Sequence, residues 1–174
     1  MIVLDSHVLV WARADERRLS AVARRAILGA RAEGGLAVAA ISLYEVARLF
    51  ALGHLRAVGT VSQAVQDLVD GVTVLPLTPD IAPLATIFPR EFARDPADRL
   101  ITATVRAYAL PLATADRAIR NSPLVETIGS GNPVAVRGDR HVHGAFPRPH
   151  HAAVRTAGVT PSQAERSGHA ARGK

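Results

Sequence analysis

The chain opens M-I-V-L-D-S-H-V-L-V-W-A over residues 1–12, and the reading of its fifth residue decides the fold. Ile2–Leu4 is a short apolar run of the kind that makes a buried strand. Asp5 follows at once, flanked by Ser6 and His7, and a second apolar run comes after it. A carboxylate left unpaired at the end of a central strand is costly to take out of water, so Asp5 needs a partner or a purpose.

Working outward, further strands are expected at Leu36–Ala39, Val72–Pro76, Leu112–Thr114 and Val125–Ile128. Leu19, Val22, Ala23, Ala26, Ile27 and Ala30 recur at helical spacing, and further helices fit Ser42–Leu52, Val61–Val69, Asp80–Ile87 and Pro96–Tyr108. Short strands alternating with helices indicate an α/β fold: a three-layer α/β/α arrangement around a mostly parallel sheet of about five strands. Such sheets bind ligands at the carboxyl ends of their strands. The sequence contains no internal repeat.

With 174 residues, 48% of them hydrophobic, the chain is long enough for one domain with a sizeable core. There is no cysteine, which excludes disulfides and thiolate metal sites. No window reaches the ~20 apolar residues of a membrane span, and the first residues lack the basic start and cleavage site of a signal peptide. A soluble, cytoplasmic protein with no membrane partner is expected.

The net charge of +6 is unevenly spread: residues 1–129 hold 14 Arg against 13 acids, and residues 130–174 hold seven cations against two. The basicity therefore belongs mainly to the second segment, which is rich in Gly, Pro, His and Arg and is expected to be disordered. Its five histidines, His141, His143, His150, His151 and His169, have no framework that would arrange them as metal ligands. One folded domain over 1–129 followed by a basic extension over 130–174 is the expected organisation. Of the 21 cations, all but Lys174 are arginine, which fits base composition as well as recognition.

Four acids fall where the strands end. Asp5 closes the first strand, Glu45 lies in S-L-Y-E, Asp98 in D-P-A-D-R-L-I, and Asp116 in L-A-T-A-D-R. Each except Asp5 has a simple structural reading. Ser42 and Glu45 spell a capping box, Asp95 with Pro96 starts a helix whose dipole favours Asp98, and Asp116 suits the cap of a short helix through Ile119. Caps explain the acids one at a time. Acids converging on one edge would raise one another's pKa values unless a cation stood between them, and hard oxygen ligands suit Mg²⁺ or Mn²⁺.

These four motifs, M-I-V-L-D-S-H-V-L-V-W, I-S-L-Y-E-V-A, R-D-P-A-D-R-L-I-T-A-T and L-A-T-A-D-R-A-I, resemble in order and spacing those of the PIN-domain ribonucleases. The nearest resemblance is to the VapC-type toxin subfamily, over roughly residues 1–129. It implies a PIN-like fold and a Mg²⁺-dependent endoribonuclease, with Mn²⁺ able to substitute, that inhibits translation. It implies silencing by a cognate VapB-type antitoxin, and a homodimer. Carried over, Asp5, Glu45, Asp98 and Asp116 form the catalytic quartet, with Asp5, Asp98 and Asp116 on the metal. Ser6 replaces the commoner Thr and keeps its hydroxyl, Thr114 is a supporting hydroxyl, and Asp95 is mainly a cap. Arg99 and Arg117 are candidate phosphate contacts, and His7 is given a structural role. Two departures stand out: the family's usual ending after the last strand is replaced by the 130–174 extension, and residues 1–129 contain no lysine.

Three other readings compete. A haloacid-dehalogenase-like phosphatase also starts with a strand ending in Asp, but needs a second Asp where this chain has His7. A non-catalytic RNA-binding module would use the basic extension, with the acids serving only as caps. A PIN nuclease of RNA processing would act without an antitoxin. For that partner, Leu43, Val46, Leu49, Phe50, Leu52 and Leu55 offer more apolar residues than one buried face needs.

Overall fold

The computed structural model describes residues 1–33 and 35–129, so the basic extension, its expected disorder and its histidines lie outside the described residues. Five strands, β1 (Ile2–Leu4), β2 (Leu36–Ala39), β3 (Val72–Leu75), β4 (Leu112–Thr114) and β5 (Thr127–Gly129), form one sheet in the order β3-β2-β1-β4-β5. Every pairing is parallel, so the expected mostly parallel sheet is wholly so among the described residues. The last strand starts two residues later than its apolar run suggested, and β3 stops one residue short of Pro76.

Alternation along the strands separates two cores. Leu4, Leu36, Val38 and Ala113 face one side, where α1 (Ser6–Ala14), α2 (Ala21–Glu33), α3 (Ala40–Ala51) and α4 (Val61–Leu68) pack. Val3, Ala37, Ala39 and Leu112 face the other, with α5 (Ile81–Thr86), α6 (Pro96–Ala107) and α7 (Arg117–Arg120). Strands covered on both faces read as near-continuous apolar runs, as β1, β2 and β4 do, while the edge strands β3 and β5 are partly exposed. The three-layer α/β/α arrangement is the observed one.

The apolar run after Asp5 is α1, which buries Val8, Leu9, Val10 and Ala12. One difference from the sequence reading has a clear cause. The Ser42–Glu45 capping box does not form, because β2 passes into α3 without a linker and Ala39 is already the N-cap. Ser42 thus sits inside the first turn, its hydroxyl buried without a protein partner. The capping box occurs instead at Thr60, whose Oγ1 accepts from the Gln63 N–H (3.2 Å) while Gln63 Oε1 accepts from the Thr60 N–H (2.9 Å). The core also absorbs most of the supposed apolar excess: Val46, Phe50 and Leu55 are buried, Leu43 and Leu49 pack against them, and Leu52 alone of the six is exposed.

The topology dictates where a ligand would bind. From β1 the chain moves outward to β2 and β3, then crosses back to lay β4 on the other side of β1. The order reverses between β1 and β4, and crevices open beyond the carboxyl ends of strands at such a point. Asp5 leaves β1 there.

Candidate active site

The pairing of Leu4 with Ala113 sets Asp5 beside Thr114. The Asp5 N–H donates to the Ala113 carbonyl (3.0 Å), and the Thr114 hydroxyl donates to Asp5 Oδ2 (2.7 Å). Both side chains are buried, so Asp5 is fixed at the strand end by one charge-assisted bond. Thr114 Oγ1 also accepts from the Asp116 N–H (3.0 Å), which ties the next acid to the same hydroxyl. Asp116 then caps α7, its Oδ1 accepting from the Ile119 N–H (3.0 Å).

Ser6 links the first strand to the second. Its hydroxyl donates to Glu45 Oε2 at 2.6 Å, holding a carboxylate from the second turn of α3 against the start of α1. Glu45 is thus the partner of Ser6, a contact the capping-box reading hid. Asp95 caps α6 through the Ala97 N–H (2.8 Å), Pro96 takes the first helical position, and Asp98 lies in the first turn.

Electrostatics shows that these acids form one cluster. Burial, then the charges of Asp5, Asp116, Asp95 and Glu45, pushes Asp98 up to about 7. Glu45 is also raised, by burial first and then by Asp5 and Asp95, against the lowering effects of Ser6 and His7. Five carboxylates from four segments therefore act on one another. Among the described residues the ion pairs are Arg17–Asp15 and Arg31–Glu16, and neither reaches the cluster.

The two arginines beside site acids behave differently. Arg99 does not turn to the cluster, and its expected phosphate role is replaced by a structural one. Its guanidinium donates to the carbonyls of Ala85 (2.9 Å), Phe88 (2.7 Å), Pro89 (3.3 Å) and Ala93 (3.3 Å). It also lies over the rings of Phe88 and Phe92, at 5.7 and 5.9 Å. Four carbonyls that end α5 and line the following loop converge there, and a planar fork of donors satisfies them. Arg117 is exposed next to Asp116 and stays open to an anion. His7 is exposed on α1, not a core residue, and the sequence reading of a structural role gave no hint of that.

The residue pattern described as the PIN domain matches this chain over residues 2–123. The chain belongs to the PIN-domain family. This PIN domain is 40% identical over 120 residues to Ribonuclease VapC22 of Mycobacterium tuberculosis, spanning 69% of this chain and 90% of that protein. Its fold is also that of VapBC2 from Rickettsia felis, solved bound to a promoter DNA fragment, with a TM-score of 0.56, 14% identity, and 75% and 99% of the two chains covered. A toxin–antitoxin complex from Klebsiella pneumoniae aligns with a TM-score of 0.54 and 20% identity over 72% of this PIN domain's chain and 95% of its own.

PIN nucleases generally use a divalent cation, which hard oxygen donors such as these suit. The set is wholly carboxylate oxygen, without the soft ligands that would select another metal, and among the described residues no ion pair reaches it, though the charge of His7 acts on Glu45. The chemistry fits. Among the described residues no three His, Cys, Asp or Glu side chains are gathered tightly enough to hold an ion as they stand.

Proposed function

We propose that this chain is a Mg²⁺-dependent endoribonuclease, with Mn²⁺ able to substitute, and the toxin of a VapBC-type toxin–antitoxin pair that inhibits translation in the cytoplasm. The observation that carries the reading is the gathering of acids from four segments by the switch point between β1 and β4, where burial and the neighbouring carboxylates raise Glu45 and Asp98. The identity to Ribonuclease VapC22 supports the reaction, and the named complexes support an antitoxin partner.

Asp5, Asp98 and Asp116 would hold the cation. When bound, it supplies activation of a water and neutralisation of charge on the attacked phosphate. Thr114 keeps Asp5 oriented, and the α7 cap keeps Asp116 oriented, so little reorganisation remains for either. Ser6 holds Glu45 in place, and burial raises Glu45's affinity for a proton, which suits either a further ligand or the base that takes a proton from water. Asp95 contributes charge and starts α6, and Arg117 is placed to meet a phosphate. We place the nuclease in residues 1–129 and assign the 130–174 extension no catalytic part.

Incubation of the purified protein with RNA tests this. Cleavage should require Mg²⁺ or Mn²⁺, vanish in Asp98→Asn with the circular dichroism unchanged, and survive removal of residues 130–174. Metal-independent cleavage, or full activity in Asp98→Asn, would contradict it. Growth arrest on expression, relieved by the protein encoded immediately upstream, would separate a toxin from a processing nuclease.

A further inference from the structure

We propose that His7, Trp11 and Arg18 form a stacking strip for an unpaired nucleobase of the RNA next to the cleaved phosphate. This rests on the ribonuclease reading and names a substrate contact that the acid cluster does not provide. The first turn of α1 divides its labour sharply. Asp5 and Ser6 are buried and hydrogen-bonded into the cluster, while His7, the very next residue, is exposed and makes no hydrogen bond or ion pair among the described residues. Its charge nevertheless reaches Glu45, which places the imidazole at the rim of the site.

Four residues on, Trp11 lies on the same helix face. The two rings stand 6.3 Å apart, tilted by 51°. Trp11 is half-buried and packs against the core, so it backs the exposed imidazole with a rigid surface. Arg18 completes the row, its guanidinium 4.7 Å over the Trp11 ring. The strip thus runs from the acids to a cation across two aromatic faces.

That order matches what a polynucleotide needs here. The clustered carboxylates repel phosphates, so a strand delivered to them must be held by something other than that edge. Unpaired bases stack on aromatic rings and guanidinium planes, and they do so without demanding a sequence. Arg18 adds charge for the adjoining backbone. A base-paired strand presents no free face to such a row, so the strip selects single-stranded RNA.

The test uses the cleavage-silent Asp98→Asn protein and a fluorescein-labelled single-stranded RNA 12-mer, with a matched oligonucleotide made abasic at its central positions. Adding His7→Ala should weaken binding to the intact RNA by roughly tenfold, as loss of one stacked base implies. It should change binding to the abasic oligonucleotide by less than twofold. His7→Phe should restore affinity for the intact RNA. In the active protein, His7→Ala should raise KM and leave kcat nearly unchanged. Unaltered affinity in His7→Ala overturns the strip, as does rescue by His7→Lys but not by His7→Phe, which would assign the residue a purely electrostatic role. If the parent protein shows no metal-dependent cleavage, the ribonuclease reading falls and the strip with it. If cleavage is normal and His7→Ala binds normally, only the strip falls.

Discussion

Asp98 and Arg99 are neighbours in the first turn and a half of α6, carry opposite charges, and have opposite surroundings. The guanidinium is enclosed by four carbonyls and two phenyl rings, every interaction supplied by the protein. The carboxylate is surrounded by four others and pushed up to about 7. Two helix neighbours that might have neutralised each other point into different environments instead. A charge the fold satisfies serves the fold, while one it leaves unsatisfied is held ready for something outside the chain.

Substitutions at the pair should therefore separate activity from stability. The largest effect is expected at the acid: Asp98→Asn should lower kcat by about 10²–10³-fold, the range seen when a preorganised charge is removed from a site. Its metal-free thermal midpoint should be no lower than the parent's, because a repelling charge has gone. Loss of stability alongside activity would blur the contrast. Arg99→Ala should do the reverse, costing about 2–4 kcal/mol in chemical denaturation by leaving converging carbonyls without donors. Arg99→Lys should recover only part, because an ammonium lacks the planar fork.

A smaller effect sharpens the comparison through pH. Asp98 binds its proton more tightly folded than unfolded, so its contribution to stability is full below the ordinary carboxylate range and is lost as pH rises to about 7. Glu45 acts in the same direction. Metal-free protein should lose about 1–2 kcal/mol between pH 4 and 7, after allowance for solvent screening of a half-exposed group. The decline should flatten in Asp98→Asn, and a metal-free stability that rises over this range would break the link between the cluster and stored repulsion.

The smallest effect lies at the far end of the same helix. Ala109 adopts φ 50, the left-handed conformation, where its own N–H bonds to Arg106 and that of Leu110 reaches back to Val105. Ala109→Gly should stabilise by about 0.5–1 kcal/mol without altering cleavage. A change in activity there would mean that strain at this end of α6 is felt at Asp98.

Much of this was legible in the sequence, for identifiable reasons. The strands announce themselves because a sheet buried on both faces needs continuous apolar runs, and Asp5, Glu45, Asp98 and Asp116 stand out because each follows or faces a strand end. The local caps at Asp95 and Asp116 were readable for the same reason: capping depends on residues two or three positions away. What escaped depends on distance along the chain. The bond from Ser6 to Glu45 spans 39 residues and that from Thr114 to Asp5 spans 109, so only the sheet order brings them together. The Ser42–Glu45 pattern misled because an uninterrupted strand-to-helix passage moved the cap to Ala39. Arg99 misled because its carbonyl partners carry no side-chain signature at all.

The most direct measurement is titration calorimetry of the metal-free protein with Mg²⁺ and Mn²⁺ at pH 7, in two buffers of different ionisation enthalpy. Saturable binding with release of about half a proton is expected, because a cation must displace the proton that Asp98 holds with a pKa of about 7. Asp98→Asn should bind weakly and release no proton. Absence of saturable binding in the parent, or equal binding and proton release in Asp98→Asn, would contradict the assignment of this carboxylate cluster to a divalent cation.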